Sequence, residues 1–182
     1  MKRALLIVDV QNDYFPGGKM ELHNSLAASR NINEVLADCR GNSLPVIHVQ
    51  HIATRPGATF FLPGTPGAEF HENVMPTADE KIFVKHYPNS FRETGLHEHL
   101  AEQQITSLII VGMMTHMCID TTVRAAFDLG YECLVVEDCC ATKTLKFHDK
   151  EISAEDVHVA FLAALNRVFA KVITTQELAA QP

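Results

Sequence analysis

The sequence predicts a three-layer α/β sandwich, a parallel sheet with helices on both faces. Three observations carry this prediction. Short, β-branched apolar runs alternate with helix-like stretches along the 182 residues. The strongest runs are apolar throughout, as in strands buried on both faces. No linker or internal repeat divides the chain, so residues 1–182 read as a single domain.

ALLIVDV (4–10) is the first strand, continuous and β-branched. Residues 25–40 place Leu26, Ile32, Val35, Leu36 and Cys39 at helical spacing. PVIHVQH (45–51) and KIFVK (81–85) are the second and third strands. Residues 92–103 form a helix polar on one face, and SLIIVG (107–112) is the fourth strand. Residues 117–129 read as a helix ending before Gly130, a residue favoured just past a helix end. ECLVVE (132–137) is the fifth strand. Ser153 and Asp156 start a helix expected to run to Phe169. AKVIT (170–174) is the sixth strand, and a short helix closes the chain. Residues 52–80 interrupt the alternation with four prolines and three glycines. A loop that long in a compact fold is usually functional, often a pocket wall.

Composition narrows the function. The apolar fraction is 47% and the net charge is −7, with no basic run. A nucleic-acid or anionic-membrane partner is not expected. The apolar stretch after Lys2 and Arg3 ends at Asp9 without a cleavage site, so it reads as a strand rather than a leader. No run approaches the roughly 18–20 residues that span a bilayer. The five cysteines are odd in number and lack a CxxC pair, which fits a reducing compartment and a cytoplasmic location.

Open α/β sheets bind ligands beyond the carboxyl ends of their strands. The first strand delivers Asp9 there, the third delivers Lys85, and the fourth leads through GMMTHMC to Cys118. A thiol at a helix start beside a cation is biased toward the nucleophilic thiolate. Asp9 could take the thiol proton and return it to a leaving amine. Against this, an Asp ending a first strand is often a cap, a lone Lys is usually solvated, and a Cys in an α/β core is usually a small hydrophobe. The latter suits Cys39, Cys133, Cys139 and Cys140.

The motifs around the three residues decide between these readings. LLIVDVQNDYFPGG, KHYPNSF and VGMMTHMCIDTTVRAAFDLGYECLVVEDCCAT resemble, in this order, three signature segments of the isochorismatase-like cysteine hydrolases. That superfamily includes nicotinamidases and N-carbamoylsarcosine amidases, and the resemblance runs from residue 4 to about residue 178. It implies a six-stranded parallel sheet in order 3-2-1-4-5-6. It implies a catalytic triad of Asp9 as base, Lys85 as electrostatic partner and Cys118 as nucleophile. It also implies a cis peptide at Met113–Met114 and an oxyanion hole from the N–H groups of Met114 and Cys118.

Departures from the pattern refine the expectation. Nicotinamidases carry an Asp-x-His metal pair after the second strand; the matching positions here are Gln50 and Ile52, a poor metal site. No metal or other cofactor is expected, although His51 and His71 stand nearby. QH after the second strand, FLPGTPG and GMMTHMC resemble a streptothricin hydrolase-like subgroup. Phe15, Gln50, Phe91 and His116 are the expected substrate contacts. The resulting expectation is hydrolysis of a C–N bond in a small amide or lactam through a thioester. The alternatives are vinyl ether hydrolysis with Asp9 as acid, and a binding protein without turnover. The resemblance further implies a homodimer or homotetramer.

Overall fold

The structure is a computed structural model and describes residues 2–181. Its strands and helices are β1 (Arg3–Val8), α1 (Ser25–Gly41), β2 (Val46–His51), β3 (Lys81–Lys85), α2 (Leu96–Glu102), β4 (Ser107–Met113), α3 (Asp120–Asp128), β5 (Glu132–Ala141), β6 (Leu145–Phe147), β7 (Lys150–Ile152), α4 (Ala154–Leu165), β8 (Lys171–Ile173) and α5 (Thr175–Ala179). Six strands form one parallel sheet in the order β3-β2-β1-β4-β5-β8. This is the expected order, because β8 is the sixth strand read from AKVIT.

The sheet divides the core in two. Successive side chains on a strand point to opposite faces. In β1, Ala4, Leu6 and Val8 join one apolar cluster with Ile47, Val49, Phe83, Ile110, Cys118 and Ile119. Leu5 and Ile7 join the other with Ile32, Leu36, Ile109 and Val111. Every residue of β4 is buried, which explains its continuous apolar sequence. Gly112 is required where β4 meets β1. Its φ is +127°, and a Cβ there would sit 2.0 Å from the Val8 carbonyl oxygen.

Several boundaries differ from expectation. α4 begins at the Ser153 cap as expected, but stops at Leu165, and the chain turns at Arg167 with φ 76°. α2 starts only at Leu96, after Gly95 in the left-handed region. β5 runs four residues further than expected, to Ala141, through a register shift opposite Ile110–Gly112. An antiparallel hairpin, β6–β7, was not expected from the sequence at all. Gly130 does close α3, its N–H donating to Phe127 and that of Tyr131 to Ala126.

The long loop is irregular but pinned. Gln11 donates to the carbonyls of His51 (2.9 Å) and Ala68 (2.7 Å) and accepts from the His51 N–H (2.7 Å). The Asp13 carboxylate accepts from Phe61 N–H (2.6 Å), and Gly67 leaves room for it, since a Cβ there would lie 2.2 Å from Asp13 Oδ1. At the far end Glu80 joins Arg40 (2.7 Å) to fully buried His48 (2.9 Å). The sequence DVQND thus sends Asp9 toward the sheet edge while Gln11 and Asp13 hold the loop around it.

Candidate active site

β1, β2, β3 and β4 deliver the site at their carboxyl ends. In β3 the alternation buries Phe83 and Lys85 on one face and leaves Ile82 and Val84 exposed. In register with Lys85 on β2 is His51. Asp9 follows β1 with φ 52°, a left-handed conformation that Asp tolerates better than most residues and that is common at functional positions. Cys118 lies in a π-helical turn, Thr115–Ile119, that leads into α3. The Ile119 N–H reaches back to the Met114 carbonyl (3.2 Å), the wide bonding that defines such a turn. The Met113–Met114 peptide is cis.

These elements bring the three expected residues together. Lys85 Nζ lies 2.7 Å from Asp9 Oδ2 and donates to Cys118 Sγ at 3.2 Å. It also donates to the Tyr87 carbonyl (3.0 Å) and lies 2.9 Å from His51 Nδ1. Asp9 and Lys85 are fully buried, and Cys118 is 4% exposed. Burial disfavours the Lys85 ammonium, but the Asp9 carboxylate, then Cys118, outweigh it, so its pKa stands above the ordinary lysine value. Lys85 is therefore an ammonium held between a carboxylate and a sulfur.

Cys118 corrects one expectation. Burial, then the Asp9 carboxylate, push its pKa up, and Lys85 offsets only part of this. The resting group is a thiol, not a thiolate primed by a helix terminus. Its position inside the π turn, not at the first residue of α3, agrees with that. Ionisation has to be coupled to transfer of the proton, and Asp9 is the carboxylate in reach.

Sequence reasoning passed over His51 as anything but a metal ligand. Burial, then Lys85, lower its pKa to about 4, so the ring is neutral. An ammonium has no lone pair, so Nδ1 accepts from Lys85 and the ring proton sits on Nε2. The signal was available in strand alternation, which places His51 beside Lys85 and sends Gln50 to the opposite face.

By type, Asp9, His51 and Cys118 could ligate a metal, with donor atoms within 4.8 Å of one another. The Lys85 ammonium lies 2.7–3.2 Å from all three and fills the place such an ion would take. His71 stands apart, stacked on Phe15 with ring centroids 3.6 Å apart.

Above the sulfur lies a chamber of ≈ 130 Å³, lined among others by Tyr14, His51, Arg55, Phe60, Met114 and Cys118. None of the four expected substrate contacts lines it. Phe15 is buried against His71. Gln50, on the other sheet face, donates to the Ala68 carbonyl (2.8 Å) and so anchors the long loop. Phe91 stacks on Tyr131, which precedes β5 at the opposite end of the sheet. His116 Nδ1 bonds Thr142 Oγ1, and its ring sits edge-on to Phe161. All four are explained by packing.

Comparison with known proteins agrees with this fold. The family model of the isochorismatase domain matches residues 3–177. The isochorismatase family protein YddQ of Bacillus subtilis is 52% identical over 176 residues, covering 97% of this chain and 98% of the relative. A streptothricin hydrolase of Streptomyces noursei is 33% identical over 140 residues, 77% of this chain and 50% of the relative. The crystal structure of an isochorismatase from Pseudomonas putida KT2440 superposes with a TM-score of 0.90 at 37% identity, covering 96% of this chain and 89% of that one.

Proposed function

The chain belongs to the isochorismatase family of hydrolases, and from that membership and the geometry of its buried site we propose that it hydrolyses the C–N bond of a small amide through a thioester on Cys118. One observation carries the reading. A single ammonium touches both a carboxylate (2.7 Å) and a thiol (3.2 Å), with all three groups buried and the thiol lining a small chamber.

The steps follow from the protonation states. Asp9 takes the proton of Cys118 as the sulfur attacks the carbonyl carbon. The C–S bond forms and the carbonyl π pair moves to oxygen, where the N–H groups of Met114 and Cys118 hold it. Collapse of this adduct breaks the C–N bond, and Asp9 gives its proton to the departing amine. Water then attacks the thioester and passes a proton to Asp9. Collapse breaks the C–S bond, the acid leaves, and the thiol recovers its proton. Lys85 keeps its charge throughout. It stabilises the Asp9 carboxylate at rest and the thiolate once Asp9 is neutral, so negative charge never stands unpaired in the buried site.

The test is a screen of small amides for ammonia release, with trapping of the intermediate. Mass spectrometry of acid-quenched protein is expected to show an acyl adduct on the peptide containing Cys118. Cys118→Ala is expected to abolish turnover. Full activity in that variant overturns the reading, and turnover of isochorismate by it would assign the acid chemistry to Asp9 alone.

A further inference from the structure

The chamber over Cys118 has an apolar wall of Ala53, Ala58, Phe60, Pro88, Met114 and Met117, into which Tyr14, His51 and Arg55 bring hydrogen-bond donors. Tyr14 is 2% exposed, and burial, then Cys118 and Asp9, hold its pKa well above the ordinary phenol value, so it keeps its proton. Among the described residues nothing accepts from its hydroxyl, although buried phenols usually find a partner. His51 turns Nδ1 to Lys85, which leaves its Nε2–H without an acceptor among the described residues. Arg55, on the loop after β2, lines the same chamber and forms no ion pair with any described carboxylate.

The charges point the same way. The Asp9 carboxylate and the Lys85 ammonium balance one another beneath the floor, and Cys118 is a neutral thiol. Among the described residues no Asp or Glu lines the chamber wall. Arg55 therefore puts a local positive charge over the nucleophile of a chain whose net charge is −7. A guanidinium engages a carboxylate through two parallel N–H bonds, and unpaired donors in a pocket favour a ligand rich in acceptors. The chamber is also small, well below the roughly 300–1,000 Å³ of sites for drug-sized ligands.

Resting on the amide-hydrolase reading above, we propose that the substrate class is small amides bearing a carboxylate, with Arg55 engaging that carboxylate and Tyr14 and His51 supplying neutral donors. Arg55 is then the residue that sets specificity. Neutral amides of the same length fit the space but leave the guanidinium unmatched.

The experiment compares succinamate with its methyl ester, which has the same scissile amide and no charge. kcat/KM is expected to favour succinamate by ten- to a hundredfold, on the order of one charged hydrogen-bonded contact. In Arg55→Gln that ratio is expected to collapse toward one, mostly through KM for succinamate. Equal rates in the wild type, or a ratio that survives Arg55→Gln, overturns the proposal. Calorimetric binding of succinate and succinamide to the Cys118→Ala variant makes the same comparison without turnover. Succinate is expected to bind at least tenfold more tightly, and only when Arg55 is present; equal or absent binding of both overturns the proposal. Failure here is separable from failure of the amidase reading. Cys118-dependent hydrolysis of neutral amides would keep that reading and remove this one.

Discussion

Lys85 shows how the site works at the scale of one residue. Its ammonium has three protons and four neighbours, namely Asp9, His51, the Tyr87 carbonyl and Cys118. In the proposed mechanism, proton transfer from Cys118 to Asp9 strengthens one acceptor of this ammonium and weakens another. Replacing Lys85 by Met strands a buried carboxylate, so Lys85→Met is expected to lose about 3–5 kcal/mol of stability and all measurable turnover. Lys85→Arg keeps the charge, but a planar fork cannot meet these neighbours from the position of Nζ, and it is expected to recover most of the stability and little of the activity. Urea unfolding and amide hydrolysis, run on the same two variants, separate the effects. A Lys85→Met protein of wild-type activity would remove the ammonium from the mechanism.

At the scale of elements, the site depends on a loop whose regular structure is limited to two three-residue 3₁₀ turns, Pro66–Ala68 and Glu72–Val74. The carboxyl end of β1, the end of β2 and the long loop are joined through Gln11, whose amide makes three buried or half-buried bonds at 2.7–2.9 Å. Gln11→Ala removes the side-chain partner of the His51 carbonyl and N–H and leaves the Ala68 carbonyl to Gln50 alone, with an expected cost of about 1–3 kcal/mol. It also frees the backbone of His51 beside Lys85, so kcat/KM is expected to fall at least tenfold. Gln50→Ala removes one bond to the loop (2.8 Å) from the opposite face of the sheet, and is expected to cost about 1 kcal/mol with less than a threefold change in kcat/KM. Thermal unfolding and steady-state kinetics on the pair check the order. Equal kinetic damage from both would mean that the loop as a whole, not the Gln11 clamp, positions the site. Gly112 sets a stricter limit, since Ala there meets the β1 backbone at a strained φ, and Gly112→Ala is expected to yield little soluble protein on expression.

At the scale of the whole molecule, much of the architecture was legible because burial on both faces leaves long apolar runs, and β1 from Ala4 and β4 from Leu108 are such runs. The grouping of Asp9, Lys85 and Cys118 was legible because each sits at or after the carboxyl end of a strand that could be read. The hairpin β6–β7 was not, since three-residue strands with exposed side chains carry no period. The chamber wall was not either, because Tyr14 lies in a three-residue 3₁₀ turn, Asn12–Tyr14, and Arg55 on irregular backbone, and neither stretch carries a period. Burial, the same property that made the core readable, has a consequence for the response to pH. All five cysteines are free and buried. Burial raises every one, Cys39 to about 11, Cys133 and Cys139 to about 12, and Cys118 and Cys140 further. A group whose pKa is raised by folding binds its proton more tightly in the native state. Its stabilising contribution is complete below the unfolded value, 9.0 for these thiols, and declines as pH rises toward the folded value. Above pH 9 each thiol then removes about 1.4 kcal/mol per pH unit, on the order of 7 kcal/mol for the five by pH 10. Raised Tyr14 and Lys85 act in the same direction at still higher pH. Net stabilities of about 5–15 kcal/mol leave little after such a loss. The urea midpoint is expected to hold between pH 7 and 8.5 and to fall steeply from pH 9 to 10, and Cys139→Ala, which removes one such thiol, is expected to show a shallower fall from a lower starting stability. A midpoint unchanged at pH 10 would mean that these thiols ionise in the folded protein nearly as easily as in the unfolded chain.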